Sequence, residues 1–115
     1  NAENPSKGFR PSPGTITDMY FPGGKGIRID SAVYSGYTIP PYYDSMIAKI
    51  IVHGENRFDA LMKMQRALYE LEIEGVTTNV EFQMDLICDE HVIAGDYDTS
   101  FLMETFLPNY NKEND

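Results

Sequence analysis

Short stretches in the first half of the chain alternate between apolar and polar residues, which is the pattern of half-buried β-strands. Residues 15–21 alternate in this way and are rich in β-prone side chains. Pro22-Gly23-Gly24 then gives a strong turn signal, and residues 26–34 read as a second strand. The two stretches together predict a β-hairpin or a pair of adjacent antiparallel strands.

The most apolar run of the chain, residues 46–53, contains several β-branched side chains and predicts the central strand of a sheet. Lys49 is the one charge that this strand must accommodate. Gly36 and Pro40-Pro41 enclose a further short extended piece. By contrast, residues 1–14 are rich in Pro, Gly, Ser and Asn and predict an irregular lead-in segment.

The second half of the chain changes to the three- and four-residue spacing of amphipathic helices. This spacing predicts a helix over residues 56–71, with Asn56 as its N-cap, because the asparagine side chain can accept a hydrogen bond from a free backbone N–H. Thr78 and Glu81 form a capping-box pattern, which predicts a second helix that ends near Cys88.

Weaker patterns complete the predicted fold. Ile73 and Val76 suggest a short strand, residues 99–106 suggest a final helix, and the polar tail from Asn109 onwards is expected to fray. Strands followed by helices, without regular alternation of the two, indicate an α+β fold with a mostly antiparallel sheet and two to three helices. The length suits one domain over residues 1–115.

The excess of acidic residues argues against two classes of binding partner. The chain has 18 acidic and 9 basic residues, which gives a formal net charge of -9. Nucleic acids and anionic membranes bind to basic surfaces, so we expect neither as a partner. No apolar run reaches the length of a membrane-spanning helix. We expect a cytoplasmic protein whose acidic surface serves mainly for solvation.

Few residues have the spacing that metal or nucleophile chemistry requires. His53 and His91 lie far apart, and Cys88 with His91 makes only a lone pair, so we expect no metal site. Cys88 follows an apolar pair and is expected to be a small core residue. Ser45 lacks the glycine-flanked sharp turn of a hydrolase nucleophile, and we expect a hydrogen-bonded turn serine.

Two further patterns allow both a functional and a structural interpretation. Gly23-Gly24-Lys25-Gly26 has neither P-loop nor dinucleotide-binding spacing, and predicts a hairpin turn with positive φ angles and an exposed Lys25. The tyrosine group Tyr34, Tyr37, Tyr42 and Tyr43 suits either core packing, which we favour, or a binding platform.

Several segments, in consistent order and spacing, resemble the C-terminal domain of biotin carboxylase. The most specific are residues 23–30 and residues 40–49, the latter reading Pro-Pro-Tyr-Tyr-Asp-Ser-Met-Ile-Ala-Lys. The others are Asn1-Ala2-Glu3-Asn4-Pro5, the run Pro11-Ser12-Pro13-Gly14-Thr15-Ile16-Thr17, Gly54-Glu55-Asn56-Arg57, residues 75–80 and residues 98–102. The resemblance covers nearly the whole chain.

The resemblance implies part of an enzyme that uses ATP and bicarbonate to carboxylate biotin, as the first half-reaction of acetyl-CoA carboxylase in fatty acid synthesis. The cofactors would be ATP, Mg²⁺ and biotin. The partners would be a second copy in a homodimer, the biotin carboxyl carrier protein and, indirectly, the carboxyltransferase. Two alternatives stay open: the equivalent domain of pyruvate carboxylase, and a module that serves only as scaffold and for dimerisation.

In this family the metal ligands, the phosphate lysines and the arginine that steadies the biotin enolate lie upstream of Asn1. The resemblance therefore implies no catalytic residue within this chain, and the isolated chain is expected to be inactive. Arg28 matches an arginine of the family's homodimer interface, and Lys25 falls where relatives can carry a phenylalanine of that interface. Asp44 could orient the upstream arginine through a bidentate hydrogen bond, or cap a turn. Thr99 and Ser100 match a segment near the adenine of ATP.

Overall fold

The strands of the protein form four small antiparallel pairs. The structure is a computed structural model that describes residues 1–31, 33–41 and 44–114, with side chains as far as residue 111. Within these ranges β1 (Glu3–Asn4) pairs with β2 (Arg10–Pro11), β3 (Gly14–Thr15) with β6 (Thr38–Ile39), β4 (Asp18–Tyr20) with β8 (Glu72–Glu74), and β5 (Ile27–Ser31) with β7 (Ala48–Val52).

The predicted hairpin between residues 15–21 and 26–34 is wrong. β4 pairs with β8, where Met19 lies opposite Ile73, and β5 pairs with β7. The stretch between β4 and β5 is held instead at the end of β7, because the carbonyl of Gly26 accepts the N–H of His53 at 2.8 Å. Contacts that are distant in sequence therefore decide the pairing, which local turn signals do not encode.

β5 and β7 form the longest ladder of the molecule, and each strand alternates between half-buried and exposed residues. Ile29 lies opposite Ile50 on the half-buried side, whereas Asp30 lies opposite Lys49 on the exposed side. The ladder thus accommodates the charge of Lys49 in solvent. The predicted strand is confirmed over Ala48–Val52, but its central position is wrong for the described residues, where β5 is its one neighbour.

The first fourteen residues are more regular than predicted. β1 and β2 flank a 3₁₀ turn at Pro5–Lys7, and the side chain of Asn4 caps this turn by accepting the N–H of Ser6 at 3.0 Å. Ala2 is fully buried and packs in one cluster with Ile16, Ile39 and Ile47. Ala2 therefore anchors the lead-in segment to the core, which its proline-rich composition does not indicate.

The first helix, α1 (Arg57–Glu70), begins where the sequence predicts. The side chain of Asn56 accepts the N–H of Asp59 at 2.8 Å, which confirms the N-cap. α1 buries Ala67 and Leu68 but leaves Phe58 63% exposed. The apolar positions of this helix therefore lie on two sides, and only one side faces the core.

The second helix, α2 (Val80–Cys88), begins one residue later than the capping-box pattern predicts. Asn79 stands at the N-cap position without a capping hydrogen bond from its side chain, because its side-chain oxygen accepts a hydrogen bond from the backbone nitrogen of Asn1. Phe82 is buried as expected. Cys88 is exposed, so its predicted core position is wrong; Phe82, Leu86 and Ile87 form the inner face of α2 instead.

The end of the chain is helical for longer than predicted. A short helix that the sequence analysis missed, α3 (Glu90–Ala94), is followed by a π-helical turn at Leu102–Phe106 and by α4 (Leu107–Asn114). The described backbone of the tail is helical to Asn114, where fraying was predicted; Tyr110 stacks on Phe106, and both rings pack edge-on against Phe82. These contacts form a second, aromatic core that stabilises the helical end.

The fold class agrees with its prediction. The α+β class with antiparallel sheets is confirmed, as are the short strands at β6 and β8. None of the helices in the described ranges has the length and hydrophobicity that crossing a bilayer requires.

The two neighbouring isoleucines of β7 should differ in their contribution to stability. Ile50 is half-buried against the helices, whereas Ile51 is 46% exposed. Replacement of Ile50 by alanine should lower the free energy of unfolding by about 2 kcal/mol, the lower end for buried aliphatic residues. Ile51→Ala is the matched control and should change it by about 0.5 kcal/mol or less. Urea unfolding of both variants measures this; a larger loss for Ile51→Ala would reverse the assigned faces.

Candidate functional site

The basic residues Lys25 and Arg28 lie at the beginning of β5. Gly24 and Gly26 have φ angles of +130° and +80°, so the predicted positive φ angles are confirmed, although the turn does not close a hairpin. Gly26 has no room for a side chain, since a Cβ there would lie 2.6 Å from the carbonyl oxygen of His53. This close approach fixes the turn and leaves Lys25 exposed beside it.

Arg28 projects from the outer face of the β5–β7 ladder. Its guanidinium donates two hydrogen bonds, each of 3.1 Å, to the carboxylate of Asp30 on the same face of the same strand. The Arg28 side chain is 72% exposed, so this bidentate pair contributes only about 0.2–1 kcal/mol to stability. The pair fixes the direction of the guanidinium on a surface that is open to solvent.

Asp44 lies in the loop that leads into β7. Its carboxylate accepts the N–H of Met46 at 3.0 Å, so it caps a turn, as one of the two sequence interpretations has it. It also lines a surface cavity of about 480 Å³ together with Asp30 and Lys49. Its neighbours Tyr42 and Tyr43 lie outside the described residues, and their predicted role stays a prediction.

Ser45 joins this loop to the start of the chain. Its hydroxyl donates to a carboxylate oxygen of Glu3 at 2.7 Å, and its carbonyl accepts the N–H of Ala2 at the same distance. The prediction of a hydrogen-bonded serine is confirmed. The remaining tyrosines are divided: Tyr37 packs against the core, whereas Tyr34, in edge contact with it, is exposed.

Thr99 and Ser100 lie on the helical side of the molecule, before the π-helical turn. The hydroxyl of Ser100 donates to the carboxylate of Asp98 at 2.6 Å, and its backbone N–H donates to the same oxygen at 3.0 Å. These two hydrogen bonds, the hydroxyl first, lower the pKa of Asp98 because they favour its charged form. Thr99 is exposed.

The structure does not bring all the expected site residues into one place. Arg28 binds Asp30, which lines the same surface cavity as Asp44, whereas Ser100 binds Asp98 and does not line that cavity. In the described part of the chain, no group of three or more His, Cys, Asp or Glu side chains could hold a metal ion.

A cleft that the sequence analysis missed lies between β7 and the first two helices. It measures about 300 Å³, and Asn1 is one of its lining residues. Its lining is mostly aliphatic and includes Ala48, Ile50, Met64, Leu68, Val80 and Ile87. Each of these residues reads as an ordinary core position in the sequence, so no local signal distinguishes the cleft.

Comparison with known proteins shows consistent similarity. The family described as "Biotin carboxylase C-terminal domain" matches residues 1–104. Biotin carboxylase 1 of Bacillus subtilis is 54% identical over 106 residues, which cover 92% of this chain and 23% of that protein. A pyruvate carboxylase subunit of Methanothermobacter thermautotrophicus is 48% identical over 104 residues, which cover 90% of this chain and 21% of that protein.

Solved structures show the same fold. The biotin carboxylase domain dimer of Hydrogenobacter thermophilus 2-oxoglutarate carboxylase, in complex with ADP, magnesium and bicarbonate, matches with a TM-score of 0.87 and 45% identity. The match covers 90% of this chain and 23% of that one. The chain thus spans about a quarter of the length of the proteins that it resembles.

The hydrogen bonds of Ser100 predict an acid titration at Asp98. Its carboxyl should titrate below the ordinary value of 3.8. Because the pKa is lowered on folding, ionised Asp98 stabilises the folded state. This contribution is complete above pH 3.8 and is lost as the pH falls through the lower pKa of the folded state. Ser100→Ala should raise the Asp98 pKa towards 3.8, whereas Thr99→Ala should leave it unchanged. Carboxyl NMR titration of the three proteins measures this, and equal pKa values in all three would contradict the assigned cause.

Proposed function

Since this chain belongs to the biotin carboxylase C-terminal domain family, we propose that residues 1–115 are the C-terminal domain of a cytoplasmic enzyme that uses ATP and bicarbonate to carboxylate biotin on its carrier protein. The observation that carries the proposal is the family match over residues 1–104. Because the chain spans about a quarter of its relatives, the activity requires a larger polypeptide that also contains an ATP-grasp part.

The finer proposal is that the final acceptor is acetyl-CoA, so that the enzyme supplies malonyl-CoA for fatty acid synthesis. It is supported by the form Tyr42-Tyr43-Asp44-Ser45 of the most specific motif. The competing assignment is pyruvate carboxylase, and the 48% identity with a pyruvate carboxylase subunit supports it. The carboxyltransferase partner, which acts after biotin is carboxylated, decides between these acceptors.

Within this proposal the chain contributes contacts at the edge of the nucleotide site. ATP and Mg²⁺ supply an activated phosphoryl group that bicarbonate can accept, and the residues that hold the metal belong to the upstream part. Since the hydroxyl of Ser100 donates its proton to Asp98, its oxygen is left as an acceptor. An acceptor of this kind suits the exocyclic amino group of adenine, with the exposed Thr99 beside it.

Asp44 has a proposed positioning role. Its carboxylate is exposed, and one oxygen accepts the backbone N–H of Met46. A carboxylate can accept further hydrogen bonds at its second oxygen. We propose that this carboxylate orients the arginine upstream of Asn1 that steadies the biotin enolate through a bidentate hydrogen bond, with the turn at Met46 fixing the carboxylate.

The full-length protein and the isolated chain should differ completely in activity. The full-length protein should hydrolyse ATP in a bicarbonate-dependent manner with free biotin as acceptor, and residues 1–115 alone should give the blank rate. Phosphate release measures both. Turnover by the purified isolated chain, or an upstream sequence without an ATP-grasp domain and without Arg-Ile directly before Asn1, would contradict the proposal. Product analysis with acetyl-CoA or pyruvate, with the matching carboxyltransferase, then identifies the acceptor.

The homodimer is the second part of the proposal, with Arg28 and Lys25 at the interface. A dimer is the form described for the related biotin carboxylase domain of Hydrogenobacter thermophilus. In this chain both basic residues are exposed on one end of β5, and Arg28 is held in a fixed direction by Asp30. Guanidinium groups pair well with planar carboxylates, so an acidic group of the second copy is the expected partner. The alternative, a module that only dimerises and supports the fold, describes the isolated chain.

Reversal of the charge at Arg28 should weaken the dimer of the full-length enzyme. Arg28→Glu replaces an attraction by a repulsion and should raise the dimer dissociation constant about tenfold, with little change in KM for ATP. Lys7→Glu makes the same charge change on the exposed 3₁₀ turn and serves as the control. Analytical ultracentrifugation gives the dissociation constants. If the dimer dissociation constant is unchanged, Arg28 is a solvated surface residue. If only the affinity for ATP falls, Arg28 belongs to the nucleotide site.

A further inference from the structure

The start of the chain holds Ser45 at two points. The N–H of Ala2 donates to the carbonyl oxygen of Ser45 at 2.7 Å. The hydroxyl of Ser45 donates to Oε1 of Glu3 at 2.7 Å. Because Ala2 is fully buried and Glu3 is half-buried, these contacts tie both the backbone and the side chain of Ser45 to residues that packing already holds in place.

The carboxylate of Glu3 is fixed in direction. Its Oε1 also accepts a hydrogen bond from the side-chain amide of Asn1 at 2.8 Å, so two donors converge on one oxygen. The backbone of Glu3 is held as well, because this residue lies opposite Pro11 in the β1–β2 pair. Hydrogen bonds to a carboxylate are shorter and stronger than those between neutral groups. Glu3 therefore presents a strong acceptor to Ser45 at a set position.

Ser45 is the middle residue of the turn that directs Asp44. The carboxylate of Asp44 accepts the N–H of Met46 at 3.0 Å, and a turn of this kind closes over the residue between them. The side chains of Asp44 and Met46 are both exposed, so packing holds this turn only weakly. The direction of the Asp44 carboxylate thus depends on how Ser45 is held.

We propose that Glu3 is a positioning residue of the carboxylation reaction, which acts through Ser45 on the carboxylate of Asp44. The inference rests on the proposed function, in which Asp44 orients an arginine that acts on biotin. Asp44 lines the surface cavity of about 480 Å³ described above, so its carboxylate is open to a further group. Because a small displacement of a positioning group slows a reaction, loss of the Glu3 contact should lower turnover.

Three variants of the full-length protein separate the hydrogen bond from the charge. Glu3→Ala removes the acceptor and Ser45→Ala removes the donor, and each should lower kcat for bicarbonate-dependent ATP hydrolysis with free biotin about tenfold. Glu3→Gln loses the charge but keeps an oxygen that can accept the Ser45 hydroxyl, so it should retain at least about half of the parental kcat. KM for ATP should change by less than about twofold in all three, since the contact serves the chemical step and not uniform substrate binding.

Asn4→Ala is the matched control. It changes the neighbouring residue of β1 and removes hydrogen bonds of similar length, which come from the backbone and the hydroxyl of Ser6. These bonds do not involve the turn at Asp44, so the kcat of Asn4→Ala should equal that of the parent. A general loss of stability at the start of the chain would lower Asn4→Ala and Glu3→Ala alike, and the difference between them reports the contact with Ser45.

A double-mutant cycle tests whether Glu3 acts through Asp44. If it does, Glu3→Ala should lower kcat about tenfold in the parent but should have no further effect in an Asp44→Ala background. Two effects that multiply instead would mean that Glu3 only supports the fold, and this result would overturn the proposal.

Hydrogen exchange gives a readout that does not depend on activity. The Met46 amide, whose N–H the Asp44 carboxylate accepts, should exchange several-fold faster in Glu3→Ala and Ser45→Ala than in the parent. In Glu3→Gln and Asn4→Ala it should exchange at the parental rate. Unchanged exchange in both alanine variants of the contact, or equal kcat in Glu3→Ala and Glu3→Gln, would also overturn the proposal.

The proposed function is judged separately, by ATP hydrolysis of the unsubstituted full-length protein. If that protein shows no bicarbonate-dependent hydrolysis with biotin, the proposed function and the role of Glu3 in it both fail, while the exchange of the Met46 amide still shows whether Glu3 holds the turn. If the unsubstituted protein is active and the cycle shows no coupling, the function stands and the positioning role of Glu3 is rejected.

Discussion

The junction between the start of the chain and the loop before β7 connects the two halves of the molecule. Ala2 and Glu3 bind Ser45 on the strand side, while Asn1 binds Asn79 at the start of α2. Ala2 is fully buried, so apolar packing reinforces these hydrogen bonds. Asn1 and Asn79 also line the aliphatic cleft, so the junction holds the first residue of the chain beside the cleft.

The helices were more predictable from the sequence than the pairing of the strands. The N-cap of α1 is encoded locally by Asn56, and the structure confirms it with a hydrogen bond from Asp59. By contrast, β4 pairs with β8, more than fifty residues away in the sequence, and the turn between β4 and β5 is held by His53. Pairing of this kind depends on tertiary contacts. The helical tail escaped prediction for the same reason, since Tyr110 packs against Phe82 of α2, which is distant in the sequence.

For the candidate site, the order of motifs along the sequence identified the family, and the structure then placed the residues. The turn at Asp44 and the hydrogen bonds of Ser45 were among the sequence interpretations. The exposure of Cys88 was not, because an apolar stretch on a short helix does not show which side faces inwards. Phe58 on α1 is likewise an apolar residue that the fold leaves exposed. Sequence periodicity shows that a helix has an apolar side. The elements that pack against the helix decide which residues of that side are buried.

The ion pair between Arg28 and Asp30 has a consequence for the thermodynamics of assembly. Both groups lie on one strand and already satisfy each other before any second copy arrives. A carboxylate from the second copy would have to displace Asp30 or share the guanidinium with it. Assembly would then exchange one exposed ion pair for another, and screening by salt acts on both sides of this exchange. A dimer that uses this arginine would depend on ionic strength far less than its charges suggest.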